Sequence, residues 1–201
     1  MKKIGIMGGT FNPIHIGHLM LADRVKDDCG LDEIWMIPTG CSYMKKDVAV
    51  LPGEERYQMI SLAIESREWM KCLDIEINRA GYTYSYETLE QLNEMYPENE
   101  FYFIFGADCL FSIENWKCPE RIFNACKIIA AVRNDASTEE MQQKKQALEN
   151  QFGSQITLYH FPRLEISSTE LRERIRMGKS VNYFIPEKVI SYISDKGFYT
   201  K

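Results

Sequence analysis

The chain has 201 residues, of which 45% are hydrophobic, and 24 basic against 29 acidic side chains give a formal net charge of −5. A chain of this length can bury one sizeable core, so we expect one domain over residues 1–201. The negative net charge argues against a surface that wraps nucleic acid or binds an anionic membrane, so any bound anion must be held by a local group of donors.

The amino terminus and the cysteines indicate the compartment. The apolar run that follows Lys3 ends at Gly8 and is too short for a signal peptide. No apolar run of about 18 residues occurs elsewhere to span a bilayer. The six cysteines form no C-x-x-C pair, and the chain has only three histidines. We therefore expect a cytoplasmic protein with reduced thiols and without a structural zinc site.

Short apolar runs alternate with segments of helical length along the chain. The runs predict strands at 3–7, 33–37, 72–75, 101–105, 127–132 and 155–159. The other segments predict helices at 17–28, 54–67, 84–96, 107–115, 119–125, 137–151, 165–179 and 186–194. Several runs lack polar alternation, as parallel strands covered on both faces do. The pattern predicts an α/β fold, a Rossmann-like doubly wound parallel sheet with helices on both faces.

The segment GTFNPIHIGH at 9–18, between the first strand and the first helix, is the most informative in the chain. Ligands of open parallel sheets bind beyond the carboxyl ends of the strands, where this loop lies. Gly8 and Gly9 allow a ligand to approach the backbone closely. Thr10 and Asn12 add short polar side chains to the exposed N–H groups. The loop therefore predicts a binding site for phosphate groups.

Two histidines follow in the same segment. If the helix begins near residue 16 or 17, His15 and His18 lie one turn apart on nearly the same side, at the positive end of the helix dipole. Their rings can then donate hydrogen bonds to the oxygens of a polyphosphate. The alternative is a glycine-rich turn in which one histidine caps the helix and the other is packed.

The segment ISSTELR at 166–172 predicts the start of a second helix with polar and basic side chains in its first turn. Ser167 and Glu170 fit the S-x-x-E capping box. Ser168 and Arg172 are four residues apart on one helix face, so a hydroxyl, free N–H groups and a guanidinium converge there. A capped helix with an exposed arginine is the alternative interpretation.

The two segments resemble the motifs of a known superfamily. HIGH at 15–18 is the signature of the HIGH nucleotidyltransferases, and GGTFNP at 8–13 is similar to its adenylyltransferase branch. ISSTELR at 166–172 resembles the I-S-S-T-x-x-R motif that closes over the ATP phosphates in that superfamily. The resemblance implies that both segments contact one nucleotide triphosphate.

Further positions resemble the bacterial nicotinate-nucleotide adenylyltransferases, and this resemblance covers essentially the whole chain. PTGCSYMK at 38–45 has the length and ends of that family's P-x-x-x-P-P-H-K loop, without the inner Pro-Pro-His. The match places Lys45 at the basic position, with Lys46 as the alternative. GYTYSYET at 81–88 is similar to the G-P-S-Y-T-I-D-T segment that recognises the pyridine base and its carboxylate.

Two more positions follow the family pattern. Asp108, in the G-A-D at 106–108, is implied to accept from a ribose hydroxyl, and a carboxylate that only stabilises the helix dipole is the alternative. Trp116 matches the tryptophan that stacks on the nicotinate ring, whereas a core tryptophan is the alternative.

The resemblance implies an enzyme that transfers the adenylyl group of ATP to nicotinate mononucleotide, forming nicotinate adenine dinucleotide and pyrophosphate in NAD biosynthesis. The implied catalytic residues are His15, His18, Lys45 and Arg172. The implied ATP-binding residues are Gly8, Gly9, Thr10, Phe11, Gly17, Ile166, Ser167, Ser168 and Thr169. The implied residues for nicotinate mononucleotide are Asn12, Thr83, Tyr84, Ser85, Asp108 and Trp116.

The same resemblance implies that Mg²⁺ is bound mainly through the ATP phosphates, without metal ligands from the protein. The segment from about 165 to 201 is expected to complete the ATP site within the single domain. We expect no nucleic-acid or membrane partner, and the sequence leaves open whether the protein forms a homo-oligomer.

Other functions remain as alternatives at this point. A related enzyme could use another acceptor, such as nicotinamide mononucleotide or phosphopantetheine, or CTP as the donor. A non-catalytic nucleotide sensor on the same fold is a third alternative. A Rossmann oxidoreductase is disfavoured because the first loop lacks G-x-G-x-x-G.

Overall fold

The computed structural model describes residues 1–41, 50–133, 138–162 and 164–200. Within these ranges one parallel sheet contains β1 (Lys3–Gly9), β2 (Glu33–Pro38), β3 (Met70–Cys72), β4 (Glu100–Gly106), β5 (Lys127–Arg133) and β6 (Ile156–Phe161). The strand order is β3-β2-β1-β4-β5-β6, and every neighbouring pair is parallel. Chain order reverses between β1 and β4, which places a crevice beyond the carboxyl ends of these two strands.

Helices cover both faces of the sheet. The described helices are α1 (Ile16–Asp28), α2 (Gly53–Ile64), α3 (Ser85–Met95), α4 (Ala107–Ser112), α5 (Pro119–Ala125), α6 (Thr138–Phe152), α7 (Ser168–Arg176) and α8 (Glu187–Lys196). Side chains of α1, α2, α7 and α8 enter one hydrophobic cluster, and those of α3, α4 and α5 enter the other. The predicted Rossmann-like fold with two covered faces is confirmed.

The two clusters explain why the strands lack polar alternation. Along β2, Ile34 and Met36 enter one cluster, whereas Trp35 and Ile37 enter the other. Successive strand residues point to opposite faces, so a strand covered on both sides is apolar throughout. None of the helices in the described ranges has both the length and the hydrophobicity of a membrane-spanning segment.

The third strand was predicted at the wrong place. It was expected at 72–75, but β3 spans Met70–Cys72, where Met70 is buried and pairs with Ile34 of β2. The chain then leaves the sheet, and residues 75–78 form a turn. The position of this short edge strand is set by its pairing with β2, which the local apolar pattern does not contain.

Within the predicted segment 165–179 the helix is shorter than the segment and spans Ser168–Arg176. The backbone of Ser167 is extended, with φ −134° and ψ 145°, and α7 starts at Ser168. The predicted segment at 107–115 is divided into α4 and a short 3₁₀ turn at Ile113–Asn115. The sequence also predicts a long loop at 39–53, and its centre, 42–49, lies outside the described residues.

A buried carboxylate fixes the amino-terminal edge of the sheet. Glu33, the first residue of β2, accepts hydrogen bonds from Lys2 Nζ at 2.6 Å and Trp35 Nε1 at 2.8 Å, and Lys71 Nζ lies 2.8 Å from it. Burial alone raises the pKa of Glu33, but the three donors outweigh burial and lower this pKa to about 2. The cluster therefore stabilises the fold in the ionised state.

We expect Glu33→Gln to lower the free energy of unfolding at neutral pH by about 1–3 kcal/mol, because bonds to a charged acceptor are lost. Since folding lowers the pKa, the stabilisation is complete above the unfolded value of 4.5 and is lost as the pH falls towards 2. Urea denaturation at neutral and at acidic pH measures both effects, and the gap between variant and wild type should narrow in acid. Glu65→Gln removes the exposed pair with Lys188 and is the matched control, with an expected effect under about 0.5 kcal/mol. A Glu33→Gln protein as stable as the control would contradict this account.

Candidate active site

The loop after β1 is held from inside by an aromatic ring. Phe11 is buried, and its backbone is left-handed with φ 47°. A Cβ atom on Gly9 would lie 3.0 Å from Cζ of Phe11, so a larger residue would crowd the ring. The same ring meets the imidazole of His18 edge-on, with centroids 5.0 Å apart. Phe11 therefore supports the loop and one histidine from below.

The predicted histidine pair lies at the start of α1. Helix α1 begins at Ile16, and His15 precedes it in extended backbone with φ −144°. The backbone N–H of His15 donates to Nδ1 of His18 at 3.2 Å. The two rings stack, with centroids 3.7 Å apart and an interplanar angle of 28°. A Cβ atom on Gly17 would lie 3.1 Å from Nδ1 of His15, so glycine makes room for the ring.

Both imidazoles are neutral at physiological pH. Burial lowers the pKa of His15 to about 4. Burial and the neighbouring His15 hold the pKa of His18 well below its usual value. Because Nδ1 of His18 accepts a hydrogen bond, the neutral ring carries its proton on Nε2. Nδ1 of His15 is buried and has no hydrogen-bond partner among the described residues. The pair thus supplies neutral groups rather than positive charge.

The late motif contacts this loop directly. Ser168 Oγ donates to the carbonyl oxygen of Pro13 at 2.9 Å, and Arg172 Nη1 donates to that of Asn12 at 2.8 Å. Nη2 of Arg172 lies 3.3 Å from Thr169 Oγ1, within the same helical turn. The structure therefore brings the histidine segment and the late motif together around one loop.

Ser167 caps α7 as the sequence predicts. Its hydroxyl accepts from the backbone N–H of Glu170 at 3.2 Å. Ile166, just before the cap, packs against the hydrophobic cluster on the α1 side of the sheet. The cap uses one of the first N–H groups of α7, and those of Ser168 and Thr169 have no partner within the helix.

A cleft of about 200 Å³ opens at the same edge of the sheet. Seven of the predicted residues line it, namely Gly8, Gly9, Thr10, Thr83, Tyr84, Ser85 and Trp116. Asp108 is exposed in the first turn of α4, and the cleft lining does not include it. The loop at 8–10 thus forms a wall of the cleft, and its continuation carries the histidine pair.

The cleft combines an aromatic side with a polar corner. Trp116 is half-buried, and its ring lies 6.3 Å from that of Phe103 and 6.2 Å from that of Phe105. The polar corner is formed at the start of α3, which begins at Ser85 without a side-chain cap. Thr83 is buried, and its hydroxyl has no hydrogen-bond partner among the described residues. An uncapped helix start beside an unused hydroxyl is a site for an anionic group.

Sequence reasoning missed the two charged residues that line the cleft, Glu76 and Lys117. Glu76 is buried, accepts from Thr88 Oγ1 at 2.9 Å and from the backbone N–H of Gly40 at 3.3 Å, and so joins two walls of the cleft. No local pattern marks it, because both partners are distant in sequence. Lys117 lines the cleft next to Trp116, and that adjacency was the available signal.

Some of the predicted residues belong to a part of the chain that the structure does not describe. Lys45 and the alternative Lys46 lie outside the described residues, as does most of the loop 41–44 with its departures from the family pattern. Of this loop only Cys41 is described, and it forms a parallel bridge with Tyr82.

Comparisons with known proteins identify the family of the chain. The family model described as Cytidylyltransferase-like matches residues 6–174. A probable nicotinate-nucleotide adenylyltransferase of Lachnoclostridium phytofermentans is 42% identical over 99% of this chain and 100% of its own length. A second, from Dehalococcoides mccartyi, is 39% identical over 99% of this chain and 98% of its own. The solved structure of Plasmodium falciparum nicotinic acid mononucleotide adenylyltransferase complexed with NaAD is 25% identical and covers 99% of this chain and 98% of its own, with a TM-score of 0.80. The resemblance seen in the sequence is confirmed, and the chain belongs to the nicotinate-nucleotide adenylyltransferase family of nucleotidyltransferases.

Proposed function

We propose that this chain transfers the adenylyl group of ATP to nicotinate mononucleotide, forming nicotinate adenine dinucleotide and pyrophosphate. The observation that carries the proposal is the contact of Ser168 and Arg172 with the carbonyl groups at 12–13. It gathers phosphate-binding groups on one side of the loop after β1, while the same loop walls the cleft on the other side. ATP, the adenylyl donor, and nicotinate mononucleotide, the acceptor, can therefore bind close together, separated by only a few residues of this loop.

The ATP side consists of neutral donors and one cation. We assign the triphosphate to His15, His18, Ser168 and Arg172, at the amino-terminal ends of α1 and α7. Neutral imidazoles donate hydrogen bonds without releasing a proton, and the guanidinium supplies the positive charge. The segment from 165 to 201 completes the ATP site in this proposal, supported by the two contacts of α7.

The acceptor side suits a pyridine that carries a carboxylate. We assign the ring to Trp116 and the carboxylate to the start of α3, with the Thr83 hydroxyl and the first amide groups of the helix as donors. The amide groups at the helix start can only donate, so they suit the two oxygens of a carboxylate better than the NH₂ group of a carboxamide. Glu76 already accepts from Gly40 and Thr88. The corner therefore favours nicotinate over nicotinamide.

The reaction needs alignment more than acid–base chemistry. An oxygen of the acceptor 5′-phosphate attacks the α-phosphorus in line and forms the new P–O bond. The bond from the α-phosphorus to the bridging oxygen breaks, and the electron pair leaves with pyrophosphate. The attacking oxygen is already anionic, so no covalent enzyme intermediate is required. The chain contributes by holding both nucleotides and stabilising charge on the phosphate oxygens.

We propose that ATP is used as its magnesium complex, with the ion held mainly by phosphate oxygens and water. The groups at the phosphate loop are imidazole, hydroxyl and guanidinium, whereas Mg²⁺ prefers oxygen ligands such as carboxylates and phosphates. In the part of the chain that the structure describes, no group of three His, Cys, Asp or Glu side chains could hold a metal ion. When bound, the ion neutralises phosphate charge.

The remaining assignments are also proposals. Asp108 is assigned to a ribose hydroxyl and Lys45 to phosphate. The partners are ATP and nicotinate mononucleotide, and the setting is the cytoplasm, where thiols are reduced.

Pyrophosphate release from a panel of donors and acceptors tests the proposal. We expect ATP to be preferred over CTP. Nicotinate mononucleotide should be preferred over its nicotinamide analogue by about tenfold or more in kcat/KM, because the carboxamide would leave a buried donor at the start of α3 unpaired. Phosphopantetheine should be inactive. A preference for another acceptor or for CTP would refute the substrate assignment, and tight ATP binding without turnover would favour a nucleotide sensor.

His18→Ala should lower kcat by about 10²-fold or more, because one donor to the transition state is lost. Thermal unfolding should change little, because His18 lies in the first turn of α1, at the end of the helix. The matched control is His160→Ala, an exposed histidine on β6, which should keep wild-type turnover. Near-normal turnover of a folded His18→Ala protein would remove this residue from the mechanism.

Nitrogen-15 NMR of the imidazoles tests whether the pair is neutral. In the protein without nucleotide, His15 should titrate with a midpoint near 4, and His18 should remain neutral well below pH 6.5 with its proton on Nε2. The variants His15→Gln and His18→Gln assign the signals. A midpoint near 6.5 for either ring, or a proton on Nδ1 of His18, would contradict the neutral donor pair.

A further inference from the structure

Arg56, in the first turns of α2, is a buried cation bonded only to backbone carbonyl groups in the described contacts. It is 3% exposed. Its Nε donates to the carbonyl oxygen of Leu51 at 2.9 Å, Nη1 to that of Thr10 at 2.9 Å, and Nη2 to that of Thr39 at 2.7 Å. One guanidinium therefore joins three separate chain segments.

These three segments meet at the proposed reaction site. Thr10 belongs to the loop that carries the histidine pair, and Thr39 follows the last residue of β2; both line the cleft. Leu51 precedes α2, and its backbone N–H donates to Oδ1 of Asn12 at 3.4 Å. That oxygen also accepts from the hydroxyl of Tyr199 at 2.7 Å. The spacing between the ATP loop and the acceptor cleft thus depends on this cluster.

Stability alone is a weak reason to keep a guanidinium here. Burying a cation is costly, and well-packed apolar side chains often serve a fold as well as or better than a buried charge. Burial lowers the pKa of Arg56, while Tyr199 and Glu76 act on it through space in the opposite direction. Arginine remains charged in proteins, and its planar fork can reach three acceptors at once, which lysine cannot do.

We propose that Arg56 is a positioning residue for adenylyl transfer, which sets the distance between the loop that holds ATP and the cleft that holds the acceptor. It acts through Thr10 and Thr39 rather than by touching either nucleotide. Its buried charge, bonded to neutral carbonyls, also adds a positive field beside the point where two anionic nucleotides meet. This inference rests on the proposed function for the site.

The test compares Arg56→Lys and Arg56→Ala with the wild type, using the best acceptor of the wild-type protein. Positioning predicts that kcat falls by about 10²-fold in both variants, because small errors in placement cost that much. KM for each substrate should change by less than about threefold, since the groups that bind them remain. Thermal unfolding and circular dichroism establish that each variant is folded.

Chemical rescue separates positioning from a general structural defect. Millimolar guanidinium should restore several-fold activity to Arg56→Ala by occupying the vacated position, whereas methylammonium should not, because it lacks the fork. Arg67→Ala is the matched control. Arg67 follows α2, and its Nη1 donates to the carbonyl oxygen of Ala63 in that helix, so this arginine also bonds to a backbone carbonyl group but joins no separate segments. The control should keep its kcat and show no response to guanidinium.

Several results would overturn the proposal. Wild-type kcat in a folded Arg56→Ala or Arg56→Lys protein is one, and raised KM values with unchanged kcat are another. If Arg56→Ala does not fold, Arg56→Lys decides through the same split of kcat and KM. Failure of the proposed function looks different, because the wild type itself would then release no pyrophosphate with nicotinate mononucleotide.

Discussion

The site depends on two hydrogen bonds that cross most of the chain. Arg172 and Ser168 donate to the carbonyl oxygens of Asn12 and Pro13, across sequence separations of 160 and 155 residues. Without them, the histidine pair and the start of α7 would be unrelated helix termini. The same bonds satisfy two carbonyl oxygens of the loop. Docking of α7 therefore brings together the two segments to which our proposal assigns ATP.

The fold explains how an acidic protein can bind two anionic nucleotides. Helix α1 follows the loop after β1, the start of α3 lines the cleft beside that loop, and α7 donates to carbonyl groups of the same loop, so three helix starts lie around one region. Their free N–H groups and dipoles supply positive potential without net charge. The neutral histidines extend this arrangement, because they donate hydrogen bonds while burial suppresses their protonation. Local donors outweigh the formal charge of −5.

The sequence predicts what short-range patterns determine. The start of α1 beside His15 and the cap of α7 at Ser167 follow from residues within one turn, and both are confirmed. The alternating apolar runs give the fold for the same reason. The position of β3 was wrong because pairing with β2 sets it. Glu76 bonds to Gly40 and Thr88, which are distant in sequence, so no local spacing could reveal its role.

Two buried ionic groups at opposite edges of the sheet show how stability and function separate in this fold. At the amino edge, Glu33 is surrounded by Lys2, Lys71 and Trp35, so its charge is neutralised and its low pKa stabilises the folded state. At the carboxyl edge, Arg56 bonds to neutral carbonyls, so its charge is not cancelled by a bonded carboxylate. A fold has little reason to keep such a charge for stability. Since it lies between the loops assigned to two phosphate-bearing substrates, a cation without a bonded carboxylate is better explained by the reaction than by the core.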